Sequence, residues 1–205
     1  MGLNKKEILS KLFICADKYK ENLYGKSLLI VGCGKDKKFE FFNVTFRAGN
    51  FQHLTGVVTQ NISPKDFFER CIARRLSPRD IESRPDGTTD LKLSVLPALM
   101  SKNLSAKMFA DYNRTGLKFY TERIVGTVTA CMGFVKDPSS EIYVPNSVLK
   151  QDMRNISSNQ KRIFAIFRKA LSEPRYTEIV YIAKKVTIKD IIFPEDLKYL
   201  ENLTI

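Results

Sequence analysis

A single histidine, His53, occurs in the 205 residues of this chain. That scarcity excludes every two-histidine acid–base scheme. The four cysteines, Cys15, Cys33, Cys71 and Cys131, stand far apart with no C-x-x-C pair. One histidine and scattered thiols argue against a zinc site, and the cysteines read as reduced, mostly buried side chains. Carboxylates are not clustered either. With no D-x-D or E-x-K core, a two-metal nuclease is disfavoured, and no metal or other cofactor is expected. No apolar run approaches the roughly 20 residues needed to span a bilayer. No basic-then-apolar leader opens the chain, since Asn4-Lys5-Lys6-Glu7 runs into an amphipathic pattern. The expectation is a soluble cytoplasmic protein without a membrane partner. There is no internal repeat or low-complexity linker, so a single domain over 1–205 is expected.

What the chain has in excess is positive charge. Thirty-four Lys+Arg against 22 Asp+Glu leave a formal net charge of +12. That balance suits RNA, DNA or an anionic membrane surface, of which nucleic acid is the expected partner. Hydrophobic residues at 43% and aromatics at 11% are enough for a packed core, which excludes disorder over most of the length.

The pattern of elements points to an α+β fold, with N-terminal helices packed on a mostly antiparallel β-sheet. Residues 4–23 read as a helix. Asn4 and Glu7 have capping-box spacing, and Ile8, Leu9, Leu12, Phe13, Ala16 and Tyr19 fall on one face. Leu28-Leu29-Ile30-Val31 is a buried strand, and with Phe39–Arg47 it predicts a hairpin. Ser63-Pro64-Lys65-Asp66 is a helix start. Thr88–Met100 is a further helix, in which Pro97 should cause a kink or an early end. Strands are expected at Lys107–Asn113, Leu117–Glu122, Arg123–Val135, Ile142–Leu149, Arg162–Lys169 and Glu178–Lys184. This divides the chain into a mainly helical part with a hairpin (1–104), an antiparallel sheet (105–186) and a tail (187–205) with one short helix near Pro194–Leu200.

Val31-Gly32-Cys33-Gly34-Lys35 invites two readings. A P-loop would need glycine where Leu29 stands, and Asp36 replaces its Ser/Thr. A methyltransferase motif would lead from strand into helix, whereas here a strand follows. A hairpin turn is the better reading. His53 sits between Gly49 and Gly56, with Asn50 and Thr55 alongside, which suggests a tightly held backbone facing a cleft. Val144-Pro145-Asn146-Ser147 reads as a sheet edge or bulge. Basic residues at strand ends, Lys161, Arg162 and Lys184 among them, could line a phosphate rim or simply guard a solvated edge.

Several of these stretches together carry a resemblance. Asn50-Phe51-Gln52-His53-Leu54-Thr55-Gly56-Val57 comes first, then Phe67-Phe68 and Cys71-Ile72, then Thr89 with Leu91-Lys92-Leu93. Gly133-Phe134, Pro145-Asn146-Ser147-Val148-Leu149 and Asp152-x-Arg154 follow. In this order they resemble phage and mobile-element nucleases of the barnase–EndoU–colicin–RelE fold, over roughly residues 5–185. The resemblance implies helices followed by an antiparallel sheet, metal-independent RNA cleavage on that sheet, and residence in a bacterial host cell. A neutralising protein partner would suit such a toxin-like enzyme.

Metal-free RNA cleavage needs a base for the 2′-hydroxyl, an acid for the leaving 5′-oxygen, and cations for the phosphorane. His53 is the candidate base or acid. Asp152 and Lys92 are candidates for the other role, and Lys92 is also a candidate nucleic-acid contact. Arg154, Lys161 and Arg162 are candidate phosphate contacts, with Lys184 on the same face. Thr55 and Ser147 are candidates to hydrogen-bond phosphate or orient substrate. His53 is expected in a cleft within about 10 Å of Asp152 or Arg154, a spread that leaves room for one phosphate. The alternative is a non-catalytic protein on the same fold that binds nucleic acid or blocks a host enzyme. A methyltransferase built on Val31–Lys35 is the third reading.

Overall fold

The computed structural model describes residues 2–113 and 121–204. Helix α1 (Lys5–Asn22) begins with the expected capping box. The Asn4 carboxamide accepts from the Lys6 and Glu7 amides at 3.0 Å, and Glu7 accepts from the Asn4 amide at 2.8 Å. Its buried face is Ile8, Leu9, Leu12, Cys15, Ala16 and Tyr19. Strands β1 (Lys26–Cys33) and β2 (Phe39–Phe46) form the expected hairpin, with Gly34–Asp36 in its turn. Three helices follow: α2 (Asn50–Thr55), α3 (Pro64–Ile72) and α4 (Thr88–Leu99). At the start of α3 the Ser63 hydroxyl accepts from the Asp66 amide at 3.1 Å, and Pro64 occupies the first turn. Helix α4 ends two residues after Pro97, as a missing amide predicts.

The remaining strands are β3 (Met108–Tyr112), β4 (Arg123–Gly126), β5 (Cys131–Lys136), β6 (Tyr143–Leu149), β7 (Ser157–Ala170) and β8 (Glu178–Ile182). Residues 117–120 of the strand expected at 117–122 lie outside the described residues, and Thr121 and Glu122 are not in a strand. The run expected as one strand over 123–135 is two, β4 and β5, turned about residues 127–130.

One expectation is corrected. The strands after residue 105 do pair antiparallel, in the order β6-β5-β4-β3-β7-β8, but they are not a sheet apart from the hairpin of the first part. The N-terminal hairpin closes them into a seven-stranded barrel. Strand β1 pairs antiparallel with β7 from Lys26↔Ala170 to Cys33↔Arg162, and β2 meets β6 in a single parallel bridge, Val44↔Tyr143. The 14 residues of β7 make this possible. One of its edges follows β1, while the other serves β3 over residues 157–162 and β8 over residues 165–168.

The alternating side chains of β1 explain its unbroken apolar run. Leu28 and Ile30 join the main core with the helices, whereas Leu29 and Val31 join a second core under the C-terminal tail. A strand buried on both faces has no polar face to show. Each such side chain stabilises the fold by roughly 1.5–3 kcal/mol when fully buried. The tail reaches the second core through Ile191, Phe193 and Leu200, the last on a 3-10 helix at Glu195–Asn202. A third core of Ala110, Tyr112, Ile124, Cys131, Leu149 and Met153 includes a residue of another 3-10 helix, Met153–Ile156. Among the described residues, no helix is long and apolar enough to cross a membrane.

Candidate nucleic-acid site

His53 lies on α2, a six-residue helix that its glycine brackets conceal in the sequence. Gly56 ends the helix in the left-handed region at φ 72°, a conformation costly for any residue with a Cβ. A side chain at Gly56 would also meet Lys92 Cδ at 3.0 Å and the Thr89 backbone. Helix α4 therefore packs directly against the end of α2. Thr89 fastens the two. Its hydroxyl donates to the Gly56 carbonyl at 2.8 Å and accepts from the Arg84 amide at 2.9 Å. Lys92 Nζ donates to the His53 carbonyl at 3.0 Å.

Between these elements and β6 lies a cleft of about 450 Å³. Its walls include His53, Lys92 and Arg84, with Gln52 beside them and Asn146 and Ser147 from β6. The β6 residues reach it through a bulge. Gly133 pairs with Ser147 and Phe134 with Pro145, leaving Asn146 as the extra residue. A bulge re-aims side chains locally, and here two consecutive residues line one cleft. Gly133 makes the bulge possible, since a Cβ there would come within 2.9 Å of Thr121. Thr121 in turn donates to Asn146 Oδ1 at 3.2 Å.

The electrostatics of the cleft are cationic. Among the described residues, no carboxylate lies within ion-pair reach of Arg84 or Lys92. Asp86, the carboxylate in the lining, is engaged with the Thr88 hydroxyl at 2.6 Å and the Thr88 amide at 3.0 Å. Desolvation pushes Lys92 down to about 8, helped by the Arg84 charge and opposed by Asp86. His53 is also lowered from its ordinary value, by desolvation first and then by Lys92 and Arg84. A neutral imidazole thus stands beside an ammonium that holds its proton loosely. Ser147 adds a further feature. It is 3% exposed, and its Oγ is the buried side-chain polar atom that has no hydrogen-bond partner among the described residues.

Of the residues singled out from sequence, the cleft brings together His53, Lys92 and Ser147. Thr55 is fully buried. Its hydroxyl donates to the Gln52 carbonyl and accepts from the Val57 amide, so it holds the turn after α2. Asp152 and Arg154 are not in the lining. They pair with each other at 2.6 Å, and Asp152 caps the 3-10 helix at 153–156. Lys161 belongs to a different cluster. It bonds Glu40 at 2.8 Å, which also pairs with Arg123, itself 3.0 Å from Asp111. Arg162 donates to the Lys184 carbonyl at 3.0 Å, which brings those two together elsewhere on the surface. Sequence reasoning missed Arg84, which belongs to no motif. The nearest signal was the Asp86-Gly87 turn ahead of α4, with Gly87 at φ 75°.

Neither a curated protein nor a solved structure matches the chain. A family model does match, over residues 11–185, a span that contains the four helices except the start of α1, all eight strands and every cleft residue named above. On that match the chain belongs to the family described as phage-Barnase-EndoU-ColicinE5/D-RelE like nuclease 4.

Proposed function

We propose that the protein is a metal-independent endoribonuclease working at the His53 cleft. The observation that carries this reading is the convergence of His53, Lys92 and Arg84 on one cleft, where neither cation is paired with a carboxylate among the described residues. RNA fits because its own 2′-hydroxyl supplies the nucleophile, so the protein need only move two protons and stabilise charge. His53, lowered and hence neutral at pH 7, takes the 2′-hydroxyl proton. The 2′-oxygen attacks phosphorus and the P–O5′ bond breaks. Lys92, with its pKa near 8, gives a proton to the departing 5′-oxygen. Arg84 stabilises the added charge on the phosphorane. The products are a 2′,3′-cyclic phosphate and a 5′-hydroxyl. A cationic lining with its carboxylate already engaged supports a role for side chains rather than a bound cation. Arg162 and Lys184 are proposed to guide the RNA backbone outside the cleft, in the cytoplasm of a bacterial host.

The test is incubation of the protein with end-labelled RNA and DNA in EDTA, with wild type against His53→Ala. RNA should be cut to cyclic-phosphate ends and DNA left intact. The variant should be roughly 10²–10⁴-fold slower, the usual worth of general acid–base catalysis. Cleavage that needs a divalent ion, or that survives the substitution, defeats this reading and favours a binding protein on the same fold.

A further inference from the structure

Ser147 is an expensive residue for a fold to keep without a purpose. A buried hydroxyl with no partner costs desolvation that alanine would avoid. It is 3% exposed, without a hydrogen-bond partner among the described residues, and on the wall of a cleft that also holds Lys92 and Arg84, neither of them in an ion pair among the described residues. The sheet is distorted at the same spot, since the bulge opposite Gly133 lets Asn146 and Ser147 line the cleft together. Proline at position 145 removes an amide donor just ahead of the bulge. A hydroxyl donor that shares a cleft lining with Lys92 and Arg84 suits an anionic oxygen, because bonds to a charged acceptor are stronger than neutral ones. Thr121 already donates to Asn146 Oδ1, so the carboxamide beside Ser147 is oriented in advance.

We propose that the cleft is a binding site for a phosphomonoester, in which the Ser147 hydroxyl donates to a phosphate oxygen while Lys92 and Arg84 balance its charge. The ligand class is a nucleoside 3′-monophosphate, which forms from the 2′,3′-cyclic product when water adds to phosphorus and the P–O2′ bond breaks. This rests on the endoribonuclease reading for its ligand, but not for its test.

The test is binding of adenosine 3′-monophosphate, inorganic phosphate and adenosine to wild type, Ser147→Ala and Ser147→Cys, measured by calorimetry together with the melting temperature of each free protein. The phosphate-bearing probes should bind wild type and adenosine should not. Both substitutions should weaken phosphate binding roughly ten- to a hundredfold, the worth of one hydrogen bond to a charged acceptor. The melting temperature of Ser147→Ala should equal or exceed that of wild type. Unchanged binding in both variants would overturn the proposal. So would adenosine binding as well as its 3′-phosphate, or a melting temperature that falls together with affinity. Cysteine preserves volume with a weaker donor, so it supplies the comparison if alanine disturbs the strand. Mononucleotide binding involves no turnover. Intact RNA cleavage in His53→Ala would sink the catalytic reading and leave this result standing, whereas unchanged binding in Ser147→Ala would sink the subsite alone.

Discussion

Two clusters of basic side chains in this protein differ in what answers their charge. Around Glu40, every cation has a partner. Lys161 and Arg123 both bond the Glu40 carboxylate, and Arg123 also reaches Asp111. Burial works to raise Glu40, but the hydrogen bonds from Lys161 and Arg123 outweigh it and hold the carboxyl below its usual value. Such a network is satisfied from within and ties β2, β3, β4 and β7 together. Around His53, Lys92 is held by backbone instead, and Arg84 has no ion pair among the described residues. Lys92 spends its bond on the His53 carbonyl and is left with a lowered pKa. Charge that is paired stabilises a fold, while charge left unpaired is available to a ligand. In sequence the two sets are indistinguishable, since lysine and arginine look alike until their partners are known.

The comparison breaks most sharply at two lysines. Lys92→Met should slow RNA cleavage by roughly 10²–10³-fold, as loss of an acid or base does, with melting temperature unchanged or raised because no ion pair is lost. Lys161→Met should do the reverse. It should leave cleavage near wild type while destabilising the protein by about 1–2 kcal/mol, a value between those of exposed and buried pairs. Equal effects of the two substitutions on both readouts would erase the distinction. The smallest effect is expected outside either cluster. Arg162→Ala should weaken RNA binding only several-fold and reduce the salt dependence of log K by about one, the signature of a single phosphate contact. A salt slope that does not move would remove Arg162 from the RNA path.

These contrasts track what was legible before the structure. Local signals were read correctly where the chemistry is local: the Asn4–Glu7 box, the Ser63-Pro64 start and the bulge at Asn146 all depend on neighbours in sequence. Barrel closure was not legible. It rests on β1 meeting β7, well over 100 positions away, and on one parallel bridge between β2 and β6. Helix α2 was hidden because six residues between two glycines make no apolar period. Of the cleft residues, His53, Lys92 and Ser147 were singled out from sequence by residue type and motif. Arg84 was not, because only the fold carries its loop to the cleft, and Asp152 and Arg154 proved to cap a turn together.

The central claim is that His53 and Lys92 act as a pair, and the pH dependence of kcat/KM tests it most directly. His53 is lowered from its ordinary value of 6.5, so cleavage should fall only as the pH drops below that value and the imidazole gains its proton. Lys92 should lose its proton near pH 8, so a second limb should fall on the alkaline side from there. In Lys92→Met the alkaline limb should vanish. The acid limb should move up in pH, because the nearest cation repelling His53 protonation has been removed. An acid limb that persists unchanged in His53→Ala, or an alkaline limb that persists in Lys92→Met, would contradict the account.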